Sequence, residues 1–600
     1  MRFKSPTVGG YTVLAVTGAN TVSFAVDYTA ADTTGLLGFA VEREDPAEDE
    51  RYYMHGFKVF PSVVPNPDEN TKVSTFDHPV QSFVWDDFTA KPGRSYRYHF
   101  HPLRGRPKNL DRSAPAIVID VRTEPQFDTA QAHDVFFNRG VAGSQAYVRE
   151  FGLRDPLTLP EPRRGRALAW LSRHLDDALL RFIDQAAPGD TLLCCFYEFR
   201  YLPAAQALKA AHDRGVAVRL ILDAKVNEST DKDGVFHESF PREDNIRTVA
   251  AVGLPAAGVV WWREAKPNGI QHNKFMVLLQ GAAQAPAAVW TGSTNLSMGG
   301  VHGQTNVGHW VRNAAVAGAF RDYWQLLAAD PGGRKGDARS DTLRKNSALK
   351  QQVEALAAVP DNWRDIAPGI TAVFSPRRGL GVLEMYARMM DEATDLACVT
   401  LAFGINKQFK ALLQDNTPNN ALAFVLLEKA DKPNPSSTQP FVNINASNNV
   451  YKAWGSFLKQ PLYRWAKETS ARRLGLNTHV SFIHSKFLLM DPLGDDPIVV
   501  TGSANFSEPS TNANDENMLL VRGNLRVADL YFTEFNRLFN HYYFRSVTEA
   551  TANARDAGEP PPADGSLALT EDDTWLAKYA PGKLRAKRVG VFVGMRGVEG

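Results

Sequence analysis

HNKFMVLL (272–279) and HSKFLLMD (484–491) are two copies of one pattern, and their recurrence decides the fold. The histidine and lysine of each copy recur at 484 − 272 = 212 residues. Downstream, WTGSTNLS (290–297) matches VTGSANFS (500–507) at an offset of 210, and Gln304 and Glu516 are again 212 apart. A lone His-x-Lys triplet arises by chance in many chains and marks no more than a satisfied core histidine. Two copies, each followed by Thr-Gly-Ser-x-Asn at similar spacing, mark an internal duplication.

Each copy sits in an apolar run with strand character. On a strand, residues i and i+2 face the same side, so His272 projects with Lys274 and His484 with Lys486. The Gly-Ser-x-Asn turn follows the next strand, where glycine lets the backbone approach a ligand closely. Ser293, Asn295, Ser503 and Asn505 are placed to donate hydrogen bonds to anionic oxygens. Two histidines, two lysines and two asparagines facing one another form a phosphate cage. Nothing in that cage calls for a metal ion or another cofactor.

These motifs resemble the paired His-x-Lys-x4-Asp and Gly-Ser-x-Asn motifs of the phospholipase D superfamily, over roughly residues 130–545. The resemblance implies a two-step phosphodiesterase. One histidine attacks phosphorus to give a phosphohistidine, and the other protonates the leaving oxygen and then activates water or another alcohol. Covalent catalysis of this kind splits one hard displacement into two easier ones. The lysines and asparagines stabilise charge on the equatorial oxygens. Asp491 occupies the aspartate position of the second motif, whereas the first has Leu279. In the family this aspartate supports the fold of the site, so its loss weakens the first motif without abolishing it. Glu516 is expected to hydrogen-bond His484, raise its pKa and keep it cationic as general acid. Neutral Gln304 is then the partner of His272, the nucleophile, with the reverse assignment left open. A Gln-partnered first histidine and a Glu-partnered second one also resemble tyrosyl-DNA phosphodiesterases.

Outward from the motifs, the chain reads as a multidomain protein. Residues 1–125 alternate apolar and polar in short runs such as YTVLAVTG (11–18), TVSFAVDY (21–28), LLGFAVER (36–43), GFKVF (56–60) and AIVIDV (116–121). That pattern predicts an all-β sandwich. Within it, KPGRSYRYHFHPL (91–103) resembles the Pro-Gly-x-x-Tyr turn of fibronectin type III-like domains, with Tyr96 pinning the turn. Helices and strands alternate from 128–345 and again from 346–548, which predicts two α/β phospholipase D-like halves with mixed, largely parallel sheets packed as a pseudo-dimer. A linker and basic tail, read as a solvated surface segment, occupy 549–600. Tyr197, Glu198 and Arg200 follow the first apolar strand and Phe403 ends its counterpart. Strand ends line sites in α/β sheets, so Tyr197, Arg200 and Phe403 are candidate substrate contacts.

The composition bounds the function. Among 600 residues the formal net charge is +1, which argues against a protein that wraps nucleic acid by bulk charge. Cys194, Cys195 and Cys398 are the only cysteines, and the first two point to opposite faces of a strand, so no disulfide framework is expected. The beginning of the chain has no apolar signal region, and no run is long enough to span a bilayer. A cytoplasmic setting is expected. Both motifs lie in one chain, so no oligomer is required. The segment YKAWGSFLKQPLYRWAKETSARR (451–473) mixes basic and aromatic residues. It suits a membrane surface, a nucleic-acid strand or an amphipathic helix on its own domain. The first substrate expectation is a phospholipid, met by peripheral membrane contact. The second is a nucleic-acid phosphodiester cut by a nuclease or DNA-end phosphodiesterase. The third reading is a catalytically inactive anion-binding protein.

Overall fold

The computed structural model describes residues 1–67, 71, 73–264, 269–330, 348–433, 440–459, 467–477, 480–557 and 568–598. Its N-terminal region is all β. A four-stranded sheet (Arg2–Lys4, Tyr11–Thr17, Val22–Tyr28, Val84–Asp87) accompanies a five-stranded one built on the long strand Ser95–Arg106. On that strand Tyr96, Tyr98 and Phe100 are buried at every second position, as a half-buried strand requires. The Tyr96 hydroxyl accepts the Lys91 N–H at 2.8 Å, so it does hold its turn. GFKVF (56–60) does not form a strand. Val59 and Phe60 are both buried, against the expected alternation, and Phe60 N–H goes to His78 Nδ1.

Two seven-stranded sheets follow, with matching order. The first runs His133–Phe137, Val307–Val311, Ala285–Gly292, Lys274–Gln280, Thr191–Phe196, Ala217–Asp223, Val260–Arg263. The second runs Gly369–Ser375, Glu516–Arg522, Ile498–Gly502, Phe487–Met490, Leu396–Leu401, Leu422–Leu427, Val450–Trp454. The sheets are mixed, but the expectation of largely parallel pairing is overturned. In each, only the last two pairings of this order are parallel. Those two come from strand–crossover–strand connections. The His-x-Lys strand instead turns back through residues 281–284 onto Ala285–Gly292, and so short a connection permits only antiparallel pairing.

The halves meet through the elements that carry the motifs. Gln271 bridges Asp515 and Thr305 bridges Ile483, each a short parallel contact from one half to the other. The helix Leu525–Ala557 backs this junction with Val527, Tyr531, Phe535 and Phe539, which recur at helical spacing in one apolar cluster with Phe137 and Phe487.

Two helices, Arg163–Ser172 and Leu175–Asp184, precede the strand Thr191–Phe196 and are separated where Arg173 and His174 adopt left-handed backbone. Two further expectations change. The described part of the C-terminal tail is not a solvated segment. Trp575 donates its indole N–H to Leu36 O, and Val589 and Phe592 are buried, so the tail docks on the N-terminal region and the second half through its apolar residues. In the segment 451–473, Val450–Trp454 is a strand rather than part of an amphipathic helix, and Lys452 pairs with Asp431. Tyr463, Arg464 and Trp465 lie outside the described residues.

Arg545 makes a two-point contact with Glu468, Nε to Oε2 at 2.8 Å and Nη2 to Oε1 at 2.6 Å, with both side chains buried. Removing one member of such a pair strands a buried charge, at a cost of about 3–5 kcal/mol. Arg545→Met is therefore expected to lower the thermal midpoint markedly. Paired melting curves check this, and an unchanged midpoint would contradict it.

Candidate active site

The duplicated motifs converge. His272, Lys274, His484 and Lys486 are all buried, and Lys274, Lys486 and His272 lie close enough for their charges to act on His484. The i, i+2 geometry read from sequence is present in both copies. Lys274 Nζ donates to His272 O at 2.6 Å, and Lys486 Nζ donates to His484 O in the same way.

The partners of the histidines differ from expectation. Glu516 holds His272, not His484, with both carboxylate oxygens 2.9 Å from Nδ1. His484 Nδ1 lies 2.9 Å from Asn306 Oδ1. Gln304 partners neither histidine: its side chain is buried with Oε1 unsatisfied, and its backbone oxygen accepts from Asn138. Each histidine is thus oriented by the opposite half. Strand ends fix this crossing, because His272 N–H bonds Asp515 O at 2.9 Å while Thr305 N–H bonds Phe482 O at 2.7 Å. Asn306 and Glu516 are 516 − 306 = 210 residues apart, the same offset as the Gly-Ser-x-Asn turns. Carrying 210 forward from those turns, instead of returning to 212, would have found Asn306.

The serines also take another role. Ser503 Oγ donates to Glu516 Oε2 at 2.6 Å, and Ser293 Oγ donates to Asn306 Oδ1 at 2.8 Å. Both hydroxyls orient the histidine partners and are not free for an anion. Asn295 Nδ2 is bound to Glu198 Oε1 at 2.7 Å, and both Asn295 and Asn505 carry a buried Oδ1 without a hydrogen-bond partner. Behind the motifs, Asn517 Nδ2 donates to Asn273 Oδ1 at 2.8 Å and so ties the halves together.

The missing aspartate has a replacement. Asp491 accepts the N–H groups of Thr394, Asp395 and Leu396, which secures the turn entering the neighbouring strand. Asp491 is therefore a scaffold residue, distant in role from the reacting atoms. In the first half Asp190 supplies a carboxylate from the opposite strand, accepting from Gly281 N at 2.8 Å and Ala187 N at 2.9 Å. Leu279 is tolerated because the tie is made in the reverse direction.

Burial dominates the electrostatics. It lowers both histidines well below the usual imidazole range, and the charges of Lys274 and Lys486 add to the effect. Lys274 is lowered to about 8 by burial, against the carboxylates of Glu516 and Glu198. Lys486 is lowered well below the usual lysine range by burial and by Lys274. Glu516 is pushed up to about 7 by burial, which Lys274 and the hydrogen bonds from Ser503 and Asn514 oppose. The result is a desolvated, lysine-rich pair of histidines, which an incoming anion stabilises.

Of the candidate substrate contacts, Tyr197 lies against the site, its ring centroid 5.1 Å from that of His272 and 5.4 Å from Lys274 Nζ. Arg200 is held on Glu198 at 2.9 Å. Phe403 is 71% exposed and stands outside the buried cluster.

With this geometry in place, the sequence matches the family described as cardiolipin synthase, phospholipase D-like domain, over residues 179–327 and 413–539. The chain thus carries this phospholipase D-like domain in two parts. No curated protein sequence matches it. Similar solved structures include polyphosphate kinase from Porphyromonas gingivalis, at 10% identity and TM-score 0.34, covering 59% of this chain and 46% of that one. The present chain thus spans less than half of that kinase. Phosphatidylserine synthase from Haemophilus influenzae Rd KW20 is similar at 11% identity and TM-score 0.40, covering 64% of this chain and 92% of that one. Nuc from Salmonella typhimurium, a phospholipase D family member, is similar at 23% identity and TM-score 0.19, covering 25% of this chain and 84% of that one. Members of the superfamily act on phosphodiesters or transfer phosphoryl groups.

Proposed function

We propose that the protein is a phosphodiesterase of phospholipase D type that hydrolyses or transfers a phospholipid head group through a phosphohistidine. The observation that carries this reading is the crossed pair of buried histidines, each with Nδ1 tied to a partner from the other half. With Nδ1 occupied, Nε2 is the nitrogen left to meet phosphorus or a proton.

His272 is the nucleophile. Its Nε2 forms the bond to phosphorus while the bond from phosphorus to the leaving oxygen breaks. Positive charge develops on the imidazole in that step, and the Glu516 carboxylate stabilises it. His484, held by the neutral Asn306 amide and protonated once the anionic substrate offsets its burial, gives its Nε2 proton to the leaving oxygen. It then takes a proton from water or an acceptor alcohol, whose oxygen displaces His272 from phosphorus. Lys274 and Lys486 balance the charge of the phosphoryl oxygens. This scheme keeps the histidine assignment expected from the sequence but replaces its reason, since Glu516 supports the nucleophile and not the acid. Because Gln304 partners neither histidine, the likeness to the tyrosyl-DNA phosphodiesterase pattern loses its residue basis.

Exposed apolar side chains support the lipid reading. Val226, Val235 and Phe236 follow the end of strand Ala217–Asp223, and Phe403 follows the end of Leu396–Leu401. Exposed apolar side chains of this kind suit a lipid surface. The matched family is likewise described by a lipid enzyme. Among the described residues no helix is long and apolar enough to cross a membrane, so contact would be peripheral. We read the two halves as a pseudo-dimer, and the N-terminal region as a fibronectin type III-like packing module.

The test incubates the protein in EDTA with bis-p-nitrophenyl phosphate, phosphatidylcholine micelles and single-stranded DNA in parallel. Turnover of the first two is expected to survive chelation and to vanish in His272→Ala and His484→Ala. Turnover of DNA alone would replace the lipid reading with a nuclease. Turnover of none would leave an anion-binding protein.

A further inference from the structure

The two halves offer the phosphate different neighbours. Thr191 lies opposite Leu279 in the first sheet, and Leu396 O accepts the Asp491 N–H in the second. Corresponding positions on these strands are therefore 396 − 191 = 205 apart, and Glu198 matches Phe403. One half thus presents a buried carboxylate where the other presents an exposed ring. Glu198 is 7% exposed and follows Tyr197, whose ring lies against His272.

A carboxylate can only accept hydrogen bonds, so its contact with Asn295 fixes which way that amide points. Nδ2 is spent on Glu198, and Oδ1 is left as a buried acceptor with no partner. In the second half Asn505 Oδ1 is likewise buried without a partner, but no carboxylate occupies the matching position to fix which way its amide points. The first half therefore offers two acceptors, Glu198 and Asn295 Oδ1, beside a site that otherwise attracts anions. Arg200 balances Glu198 only in part, because its guanidinium also lies 3.8 Å from Asp244 and 5.2 Å over the Phe240 ring. Phosphoryl oxygens are repelled by such a pair, while an N–H or O–H group satisfies it. Leaving a buried acceptor unpaired costs about 1–3 kcal/mol, which makes the choice of ligand selective.

We propose that Glu198, with Asn295 Oδ1, forms a specificity subsite for an alcohol that carries an ammonium or hydroxyl donor close to its phosphate. The inference rests on the phosphodiesterase reading for its substrate but not for its binding test. Phosphoethanolamine, glycerol phosphate and inorganic phosphate are titrated into the wild type and Glu198→Gln by calorimetry. Glutamine is isosteric, and its amide oxygen keeps the bond to Arg200, so the variant should fold, which a melting curve verifies. Glu198→Gln is expected to weaken phosphoethanolamine by about tenfold while inorganic phosphate changes by less than about threefold. A comparable loss with glycerol phosphate alone would identify the donor as a hydroxyl. Equal changes for all three ligands, no change, or no binding by the wild type would overturn the subsite. Failure of the wild type to release nitrophenolate from p-nitrophenyl phosphoethanolamine would count against the enzymatic reading and leave the binding result to stand or fall by itself.

Discussion

His484→Ala is expected to release about one equivalent of p-nitrophenolate from bis-p-nitrophenyl phosphate and then stall, whereas His272→Ala releases none. Nitrophenolate is a good leaving group and departs without protonation, so loss of the general acid spares the first step. The second step still needs a base to activate water, and without His484 the phosphoenzyme accumulates. Intact-protein mass spectrometry should then find the added phosphoryl ester on His272. In steady state each variant is expected to lose about 10³-fold or more, and the double variant little beyond that, because the two residues act as one unit. A burst from His272→Ala with none from His484→Ala would reverse the roles. A burst from neither, with wild-type turnover intact, would remove the covalent intermediate.

Glu516→Gln is expected to separate activity from stability. The amide can still accept from His272 Nδ1 but cannot balance the charge that develops on the imidazole, so kcat should fall by about 10²-fold. Stability should move the other way at alkaline pH. Burial pushes the folded Glu516 up to about 7, above the usual carboxylate range. Its contribution is fully present below the unfolded pKa and is lost as pH rises through the folded one. Above pH 7 the wild type must hold a desolvated carboxylate, a cost of up to about 3 kcal/mol that glutamine avoids. Melting curves at pH 5 and pH 8.5 should show the variant gaining on the wild type as pH rises. A difference independent of pH would mean that Glu516 is ionised throughout.

The all-β N-terminal region, the mixed sheets that follow it and the four residues of the His-x-Lys pairs were legible because each rests on a local period. Alternation along Ser95–Arg106 and the i, i+2 placement of His272 with Lys274 and of His484 with Lys486 follow from strand geometry alone. Strand direction was less legible. The crossover from Thr191–Phe196 to Ala217–Asp223 announces a parallel pair, but four of the six pairings in each sheet are antiparallel, made across tight turns or between strands distant in sequence.

The partners of the histidines were decided only by the tertiary structure. Glu516 reaches His272 across 244 residues, and Asn306 reaches His484 across 178. No local period encodes which half faces which. The same holds for Asp190, which takes over the turn that Leu279 cannot hold, and for Glu198, which sets the orientation of Asn295. The sequence determined which groups converge at the candidate site, because strand periodicity fixes what shares a face. The packing of one half on the other determined how those groups are oriented and charged, because hydrogen bonds and burial depend on neighbours in space.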